Sequence, residues 1–185
     1  MWTASLDGPG KVTLFGDGSV ALQNLSPTKH DMAEKIAMTL SHANLNAKVS
    51  KNILATIYRK ACVNGTLNCL CTILDSNVAD FGDTKPALPI IKEIVSEFLA
   101  VAKHEEIYLD EPDIIEQITC CFNRETVGLH HPSMYQDLII KHRLTEIDYI
   151  NGEVVRKGLE YNIPTPYCKL LTQLVHSKEE LLQAK

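Results

Sequence analysis

The sequence predicts a mainly α fold preceded by a small β-containing segment. Three observations predict it. Residues 11–23 alternate in β fashion around Gly-Asp-Gly-Ser, a hairpin signature. From about residue 51, apolar residues recur at helical spacing in one segment after another. Prolines at 27, 86, 89, 112, 132, 164 and 166 stand where those segments begin, and a helix's first turn tolerates a missing amide hydrogen.

Taken in order, Gly16, Gly18 and Ala21 match the relaxed dinucleotide pattern G-x-G-x-x-A. That pattern needs a helix opening on its glycines. Here Ser19 to Leu22 continues as strand, so the stretch reads as a hairpin turn and not as a phosphate loop. Ser26 is placed to cap a helix with Pro27 in its first turn. Met32, Ile36, Leu40 and Ala43 form its stripe, and it ends near Asn44. Residues 47–50 read as a short extended piece, with Ser50 as the next cap. Ile53, Ile57, Ala61 and the run from Leu67 to Leu74 supply a long helix. Ile90, Ile94, Val95, Phe98, Leu99 and Val101 give the following one a wide apolar face. Ile114, Ile115, Ile118 and Phe122 mark another, and Ile147, Ile150, Val154 and Leu159 a later one. The charged end from Ser177 is expected to fray.

Composition narrows the function. At 185 residues the chain is one domain, or one domain with a fragment of another. The net charge of −5 leaves no electrostatic footprint for nucleic acid. No apolar run is long enough to span a bilayer, and Met1-Trp-Thr-Ala-Ser does not open like a signal peptide. The cysteines at 62, 69, 71, 120, 121 and 168 lie in apolar helical patterns without zinc spacing. They read as buried reduced thiols of a cytoplasmic protein, with no metal site.

Chemistry concentrates in two stretches. Residues 58–68 read Tyr-Arg-Lys-Ala-Cys-Val-Asn-Gly-Thr-Leu-Asn. Lys60, Asn64 and Asn68 are spaced by four, so on a helix they share one stripe. One cation and two amides in a row suit a small oxygen-rich anion. A solvated polar face is the competing reading, although asparagine is a poor helix former and unusual there. The second stretch is 132–152. Ser133 falls in the first turn of its helix, where free amides favour an anion, and Gln136 can complete a local cap. Glu146 follows Thr145 at another helix start. His130 and His131 are adjacent and point apart, which disfavours a metal.

These residues resemble ketopantoate reductase (2-dehydropantoate 2-reductase). Besides 58–68, the resemblance rests on Ser-Met-Tyr-Gln-Asp at 133–137, Thr-Glu-Ile-Asp-Tyr-Ile-Asn-Gly at 145–152 and Ile-Pro-Thr-Pro at 163–166. It implies that 51–185 is an all-helical substrate-binding and dimerisation domain, 6-phosphogluconate dehydrogenase C-terminal-like. Residues 1–50 are then the last hairpin, helix and strand of an α/β Rossmann domain. The family reduces 2-dehydropantoate with NADPH to make pantoate for pantothenate and coenzyme A. Its catalytic lysine corresponds to Lys60 and its substrate-binding asparagines to Asn64 and Asn68. Its substrate-binding serine corresponds to Ser133, and a further asparagine in the following loop to Asn77. Its glutamate near the lysine and the nicotinamide ribose corresponds to Glu146, a catalytic and cofactor-side residue.

The resemblance thus implies a cytoplasmic oxidoreductase portion, inactive alone, whose small-molecule substrate is 2-dehydropantoate. Neither nucleic acid nor membrane is implied as a partner, and a homo-oligomer is. The segment 1–50 is expected to leave apolar surface uncovered. Two other readings remain: a non-catalytic helical module for dimerisation or binding, and a reductase of another 2-oxo acid.

Overall fold

The computed structural model describes residues 3–15, 18–26 and 31–185. It divides into two compact units, residues 1–56 and 57–185, described here in turn.

In the first unit, β1 (Thr3–Gly8) pairs antiparallel with β2 (Lys11–Phe15). Gly10 sits in the turn at φ +71°, which glycine adopts without steric cost. β3 (Val20–Leu22) pairs in parallel with β4 (Ala47–Val49). The hairpin expected within 11–23 is therefore displaced: β2 pairs backward and β3 pairs with β4. Alternation reports a half-buried strand but not its partner, and here the partner is chosen non-locally. Residues 16 and 17 of the expected turn lie outside the described residues, as does Gly16 of the glycine pattern. Ala21 lies in β3, so no helix opens there.

α1 (Met32–His42) starts later than Ser26 and Pro27 suggest, with Asp31 at the cap position. Ser26 lies in a bend, and Pro27 lies outside the described residues. An early amide of α1, that of Ala33, donates to Asn24 Oδ1 at 3.0 Å, which supplies what a cap side chain would. Ala33 and Ala37 are its buried residues, whereas Met32 and Ile36 of the expected stripe are exposed. They border an apolar groove with Leu22 and Leu25, about 290 Å³ in volume. This matches the uncovered apolar surface expected of the segment.

α2 (Ile53–Leu74) runs about 33 Å. Asn52, and not Ser50, caps it: its Oδ1 accepts from Ala55 N at 3.1 Å. Ser50 Oγ accepts from Asn52 N.

The second unit is helical throughout. α3 (Val78–Gly82), α4 (Ala87–His104), α5 (Glu111–Cys120), α6 (Ser133–Tyr135), α7 (Asn151–Tyr161) and α8 (Pro166–Leu181) follow α2. A π-turn (Gln136–Ile140) extends α6, and a 3-10 turn (Ile147–Tyr149) leads into α7. Ile91, Ile94, Val95, Phe98 and Val101 of α4 are buried with Ile114 and Ile118 of α5, Ile150 at the α7 cap position and Val154 of α7. Leu159, expected in the α7 stripe, is exposed. Gly158 takes the buried place, where a Cβ would meet the Ile163 carbonyl at 2.8 Å. The buried Glu97 of α4 accepts from Tyr167 N (2.7 Å) and Cys168 N (2.8 Å) at the start of α8, an anion on free helix amides.

The C-terminal segment, expected to fray, is instead tied down by tertiary hydrogen bonds. Lys178 Nζ donates to the Thr72 carbonyl at 2.7 Å, at the end of α2. The buried Glu179 accepts from Thr145 N at 2.7 Å. Lys185 N donates to the His142 carbonyl at 3.1 Å. Charge in the sequence indicated solvation there, and tertiary hydrogen bonds override it.

All six cysteines are free. Burial raises the thiols of Cys62, Cys69 and Cys168, and pushes Cys71 up to about 12. Cys120 departs from the expectation of burial: it is exposed at the end of α5. A disulfide reagent applied to the folded chain should therefore modify Cys120 first and leave 62, 69 and 168 untouched. Mass mapping of the labelled peptides checks this, and early labelling at any of the three buried positions would contradict the packing.

Candidate functional site

α2 changes character along its length. Its first two turns are half open, whereas within residues 62–72 every residue except Asn64 is buried. Asn64 is thus a window in an otherwise closed sheath. Its amide makes no hydrogen bond among the described residues, and one turn further Asn68 is 6% exposed. Asn68 Nδ2 donates to Ser133 Oγ at 3.4 Å, so residues 65 apart in sequence meet. Lys60, one turn before Asn64, is exposed and makes no ion pair among the described residues. The stripe therefore runs from an open cation through a half-buried amide to a buried one. A plain solvated face does not bury its third member.

Ser133 is exposed at the start of α6, with Pro132 in the cap position. Gln136 Nε2 donates to the His131 carbonyl at 3.0 Å, so it satisfies no helix amide, and the local cap expected of it does not form. Glu146 stands at the cap position of the 3-10 turn without a side-chain capping hydrogen bond, and is exposed. Burial raises the Cys69 thiol, and the Glu146 charge adds a small share to that. No ion pair joins Glu146 to Lys60 among the described residues. Asn77 is engaged locally. Its Oδ1 accepts from Asp80 N at 2.8 Å and its Nδ2 donates to Asp80 Oδ2 at 2.7 Å, so it caps α3. The structure thus brings Asn68 and Ser133 into contact, leaves Lys60 and Asn64 open on the same stripe, and keeps Asn77 in the α3 cap.

Two groups escaped the sequence reading. The first is Asn151, fully buried, which donates Nδ2 to the Gly65 carbonyl at 3.0 Å and accepts from Cys69 Sγ at 3.2 Å. It fixes α7 to α2 one residue from Asn64. Gly65 makes room, since a Cβ there would meet Phe98 Cζ at 2.5 Å. An asparagine beside a glycine within a helix start was the available signal, and it reads equally as a turn.

The second is a cluster around Glu105 at the end of α4. Lys157 Nζ lies 2.5 Å from Glu105 Oε1 and 2.7 Å from Tyr58 Oη. Tyr58 donates to Glu105 Oε2, and Tyr161 donates to Oε1 at 2.7 Å. Tyr58 is two residues from Lys60, so the cluster anchors the open end of the stripe. Burial alone would raise the Glu105 carboxyl, but hydrogen bonds from Lys157, Tyr58 and Tyr161 outweigh it and hold it low. Burial alone would lower Lys157, but Glu105 and Tyr58 outweigh it and hold it high.

The signs set the pH window. A depressed carboxyl stabilises fully above its unfolded value and loses that as pH falls through its folded one. A raised lysine stabilises fully below its unfolded value and loses that as pH rises through its folded one. Glu105→Gln is expected to cost about 1–3 kcal/mol near neutral pH, and progressively less as pH falls through the depressed folded value of the Glu105 carboxyl. Thermal unfolding of both proteins across an acid pH series checks this, and a loss that does not change with pH would exclude the charge as its source.

No helix among the described residues is long and apolar enough to cross a membrane. No group of three or more metal-ligating side chains occurs among them.

Comparison with known proteins supplies the relatives. The family described as "Ketopantoate reductase PanE/ApbA C terminal" matches residues 52–179. The chain is 62% identical over 185 residues to 2-dehydropantoate 2-reductase of Lactococcus lactis subsp. lactis (strain IL1403), covering 100% of this chain and 59% of that protein. It is 43% identical over 182 residues to the enzyme of the same name from Streptococcus pyogenes serotype M6, covering 98% and 59%. Among solved structures it is similar to D-mandelate dehydrogenase in a ternary structure with NADH and anilino(oxo)acetate. That match has 58% identity and a TM-score of 0.95, over 100% of this chain and 59% of the other. The chain thus spans 59% of the length of the curated relatives it matches. By sequence and by fold, it belongs to the ketopantoate reductase family, through that family's C-terminal domain.

Proposed function

We propose that this chain is the substrate-side portion of a nicotinamide-dependent 2-oxo acid reductase, with 2-dehydropantoate as substrate and NADPH as cofactor. The observation that carries the reading is the window at Asn64, with Lys60 open on one side and the Asn68–Ser133 contact on the other. Asn64, Asn68 and Ser133 hold the carboxylate and hydroxyl of the substrate. Reducing its ketone places negative charge on the carbonyl oxygen, which Lys60 stabilises and protonates. Glu146 serves the lysine and cofactor side of the site. Asn77 lends its remaining acceptor capacity at the rim. Residues 51–185 form the substrate domain, and 1–50 belong to a nucleotide-binding domain. A cytoplasmic homo-oligomer accompanies this reading.

The described residues hold no glycine-rich strand-to-helix turn to cradle the cofactor's phosphates. They do not fit it as a site of their own, and the chain by itself is expected to bind NADPH poorly.

A second reading changes the substrate and the cofactor. The relative crystallised with NADH and anilino(oxo)acetate is nearly as similar as the best-matching reductase above. It favours NADH and a 2-oxo acid bearing a ring.

The deciding experiment follows nicotinamide oxidation by this chain alone, and by this chain joined to the segment of the Lactococcus lactis relative that it does not cover. 2-Dehydropantoate and phenylglyoxylate are each offered with NADPH and NADH. The joined protein should turn over, and the chain alone should not. Turnover by the chain alone would overturn the division of labour. A folded joined protein inactive on both acids would overturn the reading.

A further inference from the structure

Beside the polar stripe lies a cavity of about 190 Å³. Ile57 and Ala61 of α2, Phe98 and Val101 of α4, Ile150 at the α7 cap position and Val154 of α7 form its walls. Tyr149 stands on its rim, 86% exposed. The α2 wall and the rim continue segments that carry site residues. Ala61 follows Lys60 directly and precedes Asn64 by three, the spacing of neighbours on a helix. Tyr149 follows Glu146 by three, within the 3-10 turn that Glu146 immediately precedes.

The charges in the cavity are already matched. Lys157 is held by Glu105 and Tyr58, and Glu153 by Arg156 at 2.7 Å. What remains for a ligand is apolar wall. Size selects the ligand further. A whole drug-sized molecule needs about 300 Å³ or more, whereas an apolar cavity of about 150 Å³ lined by Leu, Ile and Phe takes up benzene.

We propose that this cavity receives the apolar group attached to the carbonyl carbon of the 2-oxo acid, up to the size of one phenyl ring. Ala61 sets the limit. Its small side chain keeps the cavity open beside Lys60 and Asn64, and a larger residue there closes it. The proposal rests on the 2-oxo acid reading above and adds the determinant of side-chain specificity.

The test needs no cofactor. Saturation-transfer NMR on this chain compares phenylglyoxylate, read at its ring protons, with pyruvate, read at its methyl group. Ala61→Leu is expected to lower the phenylglyoxylate-to-pyruvate signal ratio about ten-fold, within the range one misfitted apolar group produces. An unchanged ratio would overturn the proposal. So would a wild-type chain that binds pyruvate but not phenylglyoxylate, and in that case the 2-oxo acid reading survives. Binding of neither acid would remove the functional reading itself, and the proposal with it. Circular dichroism verifies folding, and if Ala61→Leu does not fold, Ile57→Phe on the same wall carries the test to the same criteria.

Discussion

In the joined protein, Lys60→Ala is expected to lower 2-oxo acid turnover about 10²- to 10⁴-fold, the range for loss of a placed proton donor. The effect should fall on kcat more than on KM. On the proposed reading Asn64, Asn68 and Ser133 still bind the ground state, while charge on the carbonyl oxygen develops only in the transition state. Stability should barely change. Lys60 is exposed and has no ion pair among the described residues, and such substitutions usually stay within about 0.5 kcal/mol. A matched pair of steady-state kinetics and thermal melts checks both halves. A variant that retains its rate would remove Lys60 from the chemistry, and one that loses rate together with several degrees of melting temperature would point to a folding role.

The largest expected effect on stability belongs to Gly65→Ala. In an ordinary helix interior this change gains about 1 kcal/mol. Here the new Cβ would stand 2.5 Å from Phe98 Cζ and 2.9 Å from Asn151 Oδ1. Phe98 is 1% exposed and Asn151 is fully buried, so relief of the contact means driving the Phe98 ring toward the cavity it lines or displacing the packed Asn151. Moving Asn151 also strains its hydrogen bond to the Gly65 carbonyl. The net cost is expected near 3 kcal/mol, or about 6–12 °C in melting temperature for a protein of this size. Gly152→Ala is the control, because its Cβ would meet nothing closer than Asp148 Oδ1 at 3.3 Å. If the two variants melt together, the crossing at Gly65 is looser than its distances indicate.

Much of the second unit was legible because local chemistry and burial agree there. Pro86, Pro112, Pro132 and Pro166 do stand at helix starts, since a proline at a first turn needs no tertiary help. The Lys60–Asn64–Asn68 stripe followed from spacing alone, and the burial of Asn68 against Ser133 could not. Pairing was the least legible feature. β2 and β3 read as each other's partners because they are neighbours in sequence, yet β3 lies beside β4. Asn151 and Glu105 stayed hidden for a related reason. Each is a polar residue whose meaning comes from what is packed against it, and neither carries a periodic signal. The tail misled in the opposite sense, because Lys178 and Glu179 look solvated until their acceptor and donor are known.

That tail bears on the order in which the protein can be made. The end of α2 receives its donor from Lys178, a residue that leaves the ribosome more than a hundred positions later. Glu179 closes on Thr145 only after that, and Lys185 on His142 later still. During synthesis the central helix can therefore form its first turns early, while its far end waits with open carbonyls. A nascent chain stalled before residue 178 would hold Lys60, Asn64 and Asn68 on a helix that is still unfastened at one end.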